Sequence, residues 1–296
     1  MKNLRRKNPL VSIIMPVYNA GDFLVEAIES IKRQTLKNWE LICINDGSTD
    51  NSKKILEKYA KKDKRIKVYN FSKNKGIAFA LNLGIDRAKG YYFARMDADD
   101  ISKPSRLKTQ IKYLKNNPLA VAVGSQLKLI DEKGKFIGYK KFPTDPKKIY
   151  KMMLIMMPIQ HPTIMTYTKL MKKCRYANHS TSEDVSMFFK LLRYGNLINT
   201  KEVLFYYRVR PNSNSMKDPK KTFYLTLKSR IKAITRWSYK PNFLGLVVNL
   251  IQLILISILP SSLILKLYKT IRFNNPNRKI VRLRKKFLSR PAFIVR

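Results

Sequence analysis

Apolar and polar positions alternate along this chain at two different periods. Short apolar runs rich in β-branched residues occur at 11–18 (VSIIMPVY), 39–45 (WELICIN), 66–71 (IKVYNF), 91–96 (YYFARM) and 120–130 (AVAVGSQLKLI), and each predicts a strand. Between them the period changes. From Asp22 the apolar residues Leu24, Ala27, Ile28 and Ile31 fall at helical spacing, and further helices are predicted over 48–62, 77–88 and from Pro104 to Asn116.

Strands and helices alternating at this spacing predict βαβ units, hence an α/β fold with a mostly parallel sheet flanked by helices on both faces. Ligands of such sheets sit at the carboxyl ends of the strands. That rule puts Tyr18-Asn19, Asn45-Asp46 and Met96-Asp97-Ala98-Asp99 on one rim. From Lys135 the pattern turns irregular, with a hairpin through Gly138, a Met-rich run and the segment QHPTIMTY. A helix over 183–194 and a strand through LFYYRVR follow. After Pro219 the chain is helical and basic, then enters its most apolar stretch, 243–259.

Composition narrows the class. The 296 residues contain 45% hydrophobic residues, enough for a core, so wholesale disorder is excluded. Cys43 and Cys174 cannot build a disulfide framework, which points to a reducing compartment. The N-terminus is charged, then briefly apolar, then broken by Pro16, which is not the pattern of a signal peptide. A net charge of +42 requires an anionic partner without naming it: nucleic acid, a membrane face or phosphorylated substrate. The charge is uneven, since Lys217 to Arg296 hold nineteen Lys or Arg and one acid, Asp218.

The few acids are grouped. Asp97, Asp99 and Asp100 directly follow a strand, where bare carboxylates repel one another and a divalent cation relieves the repulsion. By itself the group reads equally as a Mg²⁺ or Mn²⁺ site and as a solvated acidic turn. Asn45-Asp46-Gly47-Ser48-Thr49-Asp50 also follows a strand. Asp46 is placed to accept hydrogen bonds from a base or ribose, whereas Asp50 reads as helix capping. Ser182-Glu183-Asp184 alone is a helix start with acids in its first turn. His161 reads as an ordinary loop histidine, with the acceptor side of a site as the alternative, and His179 carries no signal.

Together VSIIMPVYNAGDFLVEAIESIKRQT, WELICINDGSTDNS, NKGIAFALNLGIDRAKGYYFARMDADD and SEDVSMFFKLLRYG resemble the successive blocks of family 2 glycosyltransferases, over residues 10–210. The resemblance implies a GT-A (Rossmann-like) fold and an inverting, hexosyltransferase-like enzyme. Such an enzyme moves a sugar from a nucleotide-diphosphate donor to an acceptor hydroxyl with Mg²⁺ or Mn²⁺. It implies that Pro16, Tyr18 and Asn19 line the nucleotide pocket and that Asp46 holds the base or ribose. Asp99 would be the main metal ligand, with Asp97 near ribose and metal. Gly76 and Asn82 match a block that shapes the donor pocket, and read equally as a helix start and helix packing. Glu183-Asp184 match the ED motif, with Asp184 the catalytic base. Arg210 stands where the family often has His; Arg cannot ligand a metal, but its fork of donors suits a diphosphate.

Domain boundaries follow from these patterns: a transferase domain at 1–215 and a basic helical tail at 216–296. The stretch 243–259 is at the lower limit for a membrane span, and Gly245, Asn249 and Gln252 lie on one narrow face of it. Beyond Pro260, Ile264, Leu267, Tyr268 and Ile271 form an apolar stripe beside Lys266, Lys269 and Arg272, and Arg278 to Lys286 are strongly basic. This reads as attachment to an anionic membrane, the alternative being a buried core helix. A single span would put the last basic stretch outside, against the positive-inside rule. In-plane or re-entrant attachment to the inner face of the cell membrane is therefore expected, with a glycan or lipid-linked acceptor and a role in surface polysaccharide or glycolipid synthesis. Rival readings are a sugar-phosphate nucleotidyltransferase, for which the loop Tyr18–Asp22 lacks basic residues, and a nucleic-acid-binding protein. Nucleic acid is not expected, because that rival explains neither the rim acids nor the apolar stretch.

Overall fold

The described residues of the computed structural model are 8–177, 182–210, 218–260 and 262–264, and their nine strands form one sheet. The stripe from Leu267, the basic cluster from Arg278 and His179 lie outside them. In chain order the first half consists of β1 (Val11–Val17), α1 (Gly21–Lys32), β2 (Trp39–Asp46), α2 (Ser52–Lys62), β3 (Ile66–Phe71), α3 (Ile77–Arg87), β4 (Tyr92–Arg95), β5 (Ile101–Ser102), α4 (Arg106–Asn116) and β6 (Ala120–Ile130). The second half adds β7 (Phe136–Lys140), α5 (Pro146–Met152), β8 (Met165–Tyr167), α6 (Thr168–Cys174), α7 (Glu183–Leu191), β9 (Asn196–Arg208), α8 (Pro219–Arg236) and α9 (Phe243–Ile258).

Alternation along β1 assigns its side chains to two cores. Val11, Ile13 and Met15 join Leu24, Ala27 and Ile28 of α1 and Leu107 of α4, while Ile14 joins Ala78, Leu81 and Ile85 of α3 and Phe188 of α7. β1 is flanked by β2 and β4, both parallel to it. Pro16 lies beyond the last β1–β4 pair, Ile14↔Arg95, where the missing N–H disrupts no ladder on that side.

The sheet is mixed, which corrects the expectation of a mostly parallel one. Its order is β3-β2-β1-β4-β8-β6-β9-β5, with β7 paired to β6. The pairings β4–β8, β6–β8, β6–β7 and β5–β9 are antiparallel. The three residues of β8, at the end of the segment QHPTIMTY, carry no readable period, yet they join the two halves of the sheet. The hairpin turn between β6 and β7 sits at Gly134 (φ 78°), where the Asp131 carboxylate accepts from Lys133 and Lys135 N–H, and Gly138 lies within β7.

The helix expected from residue 48 begins at Ser52. The polar residues ahead of it serve α1 instead, whose Ala20 cap has no side-chain acceptor. Asn19 N–H donates to Ser48 Oγ, Ala20 N–H to Ser52 Oγ and Gly21 N–H to Asp50 Oδ2, at 2.9–3.1 Å. Asp50 is thus a capping residue across the loop, holding Ser52 N–H with its other oxygen at 2.9 Å. Cys43 and Cys174 are both buried and free.

Candidate active site

Three strand ends build the rim. After β1, Tyr18 is 51% exposed, and Asn19 takes a left-handed backbone (φ 48°) in which its Oδ1 accepts from Thr49 N–H at 2.8 Å. After β2, Asp46 is buried and accepts from Lys75 and Gly76 N–H at 2.8 and 2.9 Å. Gly47 (φ 72°) makes that approach possible, since a Cβ there would lie 2.6 Å from Asn74 N. Gly76 is the N-cap of α3. The Asn82 amide closes on the backbone of Tyr176, accepting from its N–H at 3.0 Å and donating to its carbonyl at 3.1 Å. The described contacts of Gly76 and Asn82 are therefore those of a helix start and of packing.

The end of β4 carries the densest charge. One carboxylate oxygen each from Asp97, Asp99 and Asp100 lies within 4.8 Å of the other two. Asp97 pairs with the buried Arg95 at 2.5 Å, and Asp99 with Arg210 at 3.0 Å. Asp100 is buried: one oxygen accepts from Arg208 N–H at 2.8 Å, and the other, Oδ2, has no hydrogen-bond partner among the described residues. Burial, then repulsion from their neighbours, raises the pKa of Asp99 and Asp100, and Arg210 only partly offsets this at Asp99. The Arg208 guanidinium ties the site together. It donates to the carbonyls of Asp99, Asp131 and Glu132, pairs with Glu26 at 2.5 Å, and lies over the Phe23 ring at 4.8 Å.

These acids fit a divalent cation. Hard oxygen donors converge, an orphaned buried carboxylate oxygen lies among them, and added positive charge relieves the cost of ionising Asp99 and Asp100.

The second acidic group opens α7. Glu183 is buried, and burial followed by the charge of Asp184 pushes its pKa up to about 8. Asp184 is half-buried. The two acidic groups share a neighbourhood, because the fields of Arg95, Glu183, Asp184 and Asp97 all reach Tyr176. Burial works against the Arg95 charge, but Asp97, Tyr176 and Glu183 outweigh it and raise its pKa. His161 is buried with Nε2 2.8 Å from Tyr176 Oη, and burial together with the Arg95 charge holds it neutral.

Sequence reasoning missed Arg95, Arg208, Phe23 and Tyr176. Arg95 had a readable signal, a lone cation inside an apolar strand two residues before the acids. The others had none.

A test of the Glu183 environment follows from linkage. A carboxyl whose pKa is raised on folding contributes stability only while protonated, and that contribution is lost as pH rises from the ordinary glutamate range toward about 8. Glu183→Gln removes this loss. The melting temperature of the variant, relative to the natural chain in EDTA, should climb across that window. A difference that stays constant with pH would contradict the raised value.

The mixed α/β sheet with carboxylates along one rim is shared with known proteins. Residues 12–176 match the model of glycosyl transferase family 2. The chain belongs to that family. A glycosyltransferase of Haemophilus influenzae is 49% identical over 125 residues, covering 42% of this chain and 39% of that protein. The chain thus spans well under half of that curated relative. Two solved structures share the fold. S. aureus TarS with UDP-GlcNAc is 19% identical, with a TM-score of 0.62 over 75% of this chain and 66% of that one. A Pyrobaculum calidifontis mannosyltransferase with GDP-Man and Mn²⁺ is 15% identical, with a TM-score of 0.57 over 93% of this chain and 83% of that one.

Proposed function

We propose that this chain transfers a sugar from a nucleotide-diphosphate donor to an acceptor hydroxyl, inverting the anomeric carbon. The observation that carries the reading is that acids of two groups, the Asp97–Asp100 cluster and Glu183–Asp184, lie near enough to Tyr176 for charges from both to act on it. The sugar nucleotides and Mn²⁺ held by fold neighbours support it.

Asp99 and Asp97 would hold Mg²⁺ or Mn²⁺, and the cation, when bound, neutralises charge on the departing diphosphate. Arg210, already at Asp99, brings a fork of donors to the same diphosphate. The exposed Tyr18 ring, Pro16 and Asn19 line the nucleotide, and Asp46 contacts the base or ribose with the lone pairs its two amide bonds leave over. Gly76 and Asn82 hold the wall of this pocket. Asp184 takes the proton of the acceptor hydroxyl as it attacks, beside the more deeply buried Glu183.

A panel of nucleotide sugars scored by thermal shift with Mn²⁺ tests the donor reading, because a ligand that binds only the folded chain stabilises it by mass action. At least one UDP- or GDP-sugar should raise the melting temperature and release its diphosphate on turnover. DNA binding at moderate salt with no donor response would favour the nucleic-acid reading.

Residues 1–215 form the transferase unit in this proposal and 216–296 a basic tail that meets an anionic, cytoplasmic membrane face carrying a lipid-linked or glycan acceptor. Its product would enter a surface polysaccharide or glycolipid. Among the described residues no helix is long and apolar enough to cross a membrane. At about 1.5 Å per residue, the 16 residues of α9 reach roughly 24 Å, short of a bilayer core of about 30 Å. Its polar stripe is occupied: Asn249 Nδ2 donates to the Leu154 carbonyl, and Asn249 and Gln252 both accept from Arg230. Its apolar face is bare, with Phe243 83%, Leu250 59% and Ile258 74% exposed. That polarity suits a helix lying in the plane of the membrane interface.

Anionic vesicles at low salt should therefore pull down the full chain. High salt should release part of it by screening, and detergent the rest. A chain ending before Lys240 should stay in the supernatant and still bind donor. A full chain that ignores the vesicles would sink the attachment reading.

A further inference from the structure

We infer that α8 of the basic tail positions the acidic pair of α7, through a hydroxyl contact between Ser182 and Thr226. This inference rests on the reading of Asp184 as the base.

Ser182 is the N-cap of α7, one residue before Glu183 and two before Asp184. A serine there ordinarily accepts from an N–H of its own helix. Here its side chain caps nothing on α7. Its Oγ lies 3.2 Å from the Thr222 carbonyl and 2.9 Å from Thr226 Oγ1, both on α8, and Thr226 Oγ1 itself donates to the Thr222 carbonyl at 2.8 Å. Ser182 also has φ 61° and ψ 23°, a left-handed conformation that is strained for a non-glycine residue. Such a backbone persists only when its surroundings over-determine it. The contacts of its hydroxyl with Thr222 and Thr226 restrain it from α8.

The rest of the helix supports that role. Thr222, Thr226 and Arg230 recur every four residues on one face of α8. Ser229, Arg230 and Ala233 on or beside that face are buried, and Ala233 and Tyr239 share a core with Val185, Phe188 and Phe189 of α7. Arg230 donates to Asn249 and Gln252 at 2.7 and 3.2 Å, so the polar stripe of α9 holds α8 in place. The tail therefore reaches the residue that precedes the acidic pair, through Thr222 and Thr226 of α8, and Arg230 anchors that same helix to α9. Ser182 and Thr226 are positioning residues: neither supplies the proton acceptor, but together they set where the first turn of α7 points.

Three variants test this by steady-state kinetics, donor affinity and melting temperature. Thr226→Val keeps the shape of the side chain and removes the hydroxyl. Ser182→Gly removes the hydroxyl and suits the left-handed backbone. Thr226→Ser keeps the hydroxyl. The first two should lower kcat by about tenfold to a hundredfold, the scale of a base displaced by an ångström or less, with donor affinity unchanged. Thr226→Ser should restore most of kcat. The Ser182→Gly/Thr226→Val double variant should be no slower than Ser182→Gly alone, because Ser182→Gly already removes both contacts of the serine hydroxyl with α8. Turnover within twofold of the natural chain in Ser182→Gly would overturn the inference, whether or not Thr226→Val folds. So would equal losses in kcat and donor affinity, or a Thr226→Ser variant as slow as Thr226→Val. Asp184→Asn separates the two readings. If it keeps turnover, the base assignment fails. If it is inactive while Ser182→Gly and Thr226→Val run at the natural rate, only the positioning role fails.

Discussion

Asp184→Asn is expected to slow transfer by about 10²–10⁴, the usual contribution of a general base, while donor binding stays at the natural level. The amide keeps the size of the carboxylate and loses the ability to take a proton. Donor affinity should survive because the groups proposed to hold the nucleotide and diphosphate lie at the ends of β1, β2, β4 and β9, not on α7. Isothermal titration with the donor, beside single-turnover transfer, separates the two quantities. Parallel losses in affinity and rate would mark Asp184 as a structural acid. Glu183 is the contrasting neighbour: with its carboxyl pushed up to about 8 it is mostly protonated at neutral pH and is a poor proton acceptor there.

Asp99→Ala is expected to abolish the Mn²⁺-dependent part of donor binding and to lower turnover by at least about 10²–10³, the scale of deleting one group that stabilises developing charge. At a donor concentration of about 100 Kd the natural chain should gain about 2.7 kcal/mol of stability, and the variant should gain none of the metal-dependent share. The fold should not suffer. Asp99 is ionised at a cost, with burial and Asp97 both raising its pKa, so its removal in EDTA should leave the melting temperature level or higher. Thermal melts with EDTA, with Mn²⁺ and with Mn²⁺ plus donor give all three comparisons. Natural turnover in the variant would refute the metal assignment.

Much of the candidate site's placement on the fold was legible along the chain. Asp46 and Asp97–Asp100 follow apolar runs whose strand character depends on neighbours a few residues away, and strand ends are where an α/β sheet puts its ligands. β3 and β6 were readable to the residue for the same local reason. Asp50 was read as a capping residue, yet the helix it serves across the loop is α1, 29 residues away, and no local pattern encodes that. β8 was missed because three residues show no period, and its antiparallel insertion between β4 and β6 makes the sheet mixed.

The sequence by itself determined the two cores, the rim and the acids on it, because side-chain periodicity and turn chemistry act over a few residues. Tertiary structure alone decided what those acids face. Arg208 meets Asp99 across 109 residues and Glu26 across 182. Asn82 grips Tyr176 across 94. Ser182 meets Thr226 across 44. The polar stripe of α9 was visible as a spacing, but only Arg230 and the Leu154 carbonyl turn it toward the protein and leave the apolar face outward. Such contacts depend on how separate elements pack, and packing leaves no periodic trace in the segments that it joins.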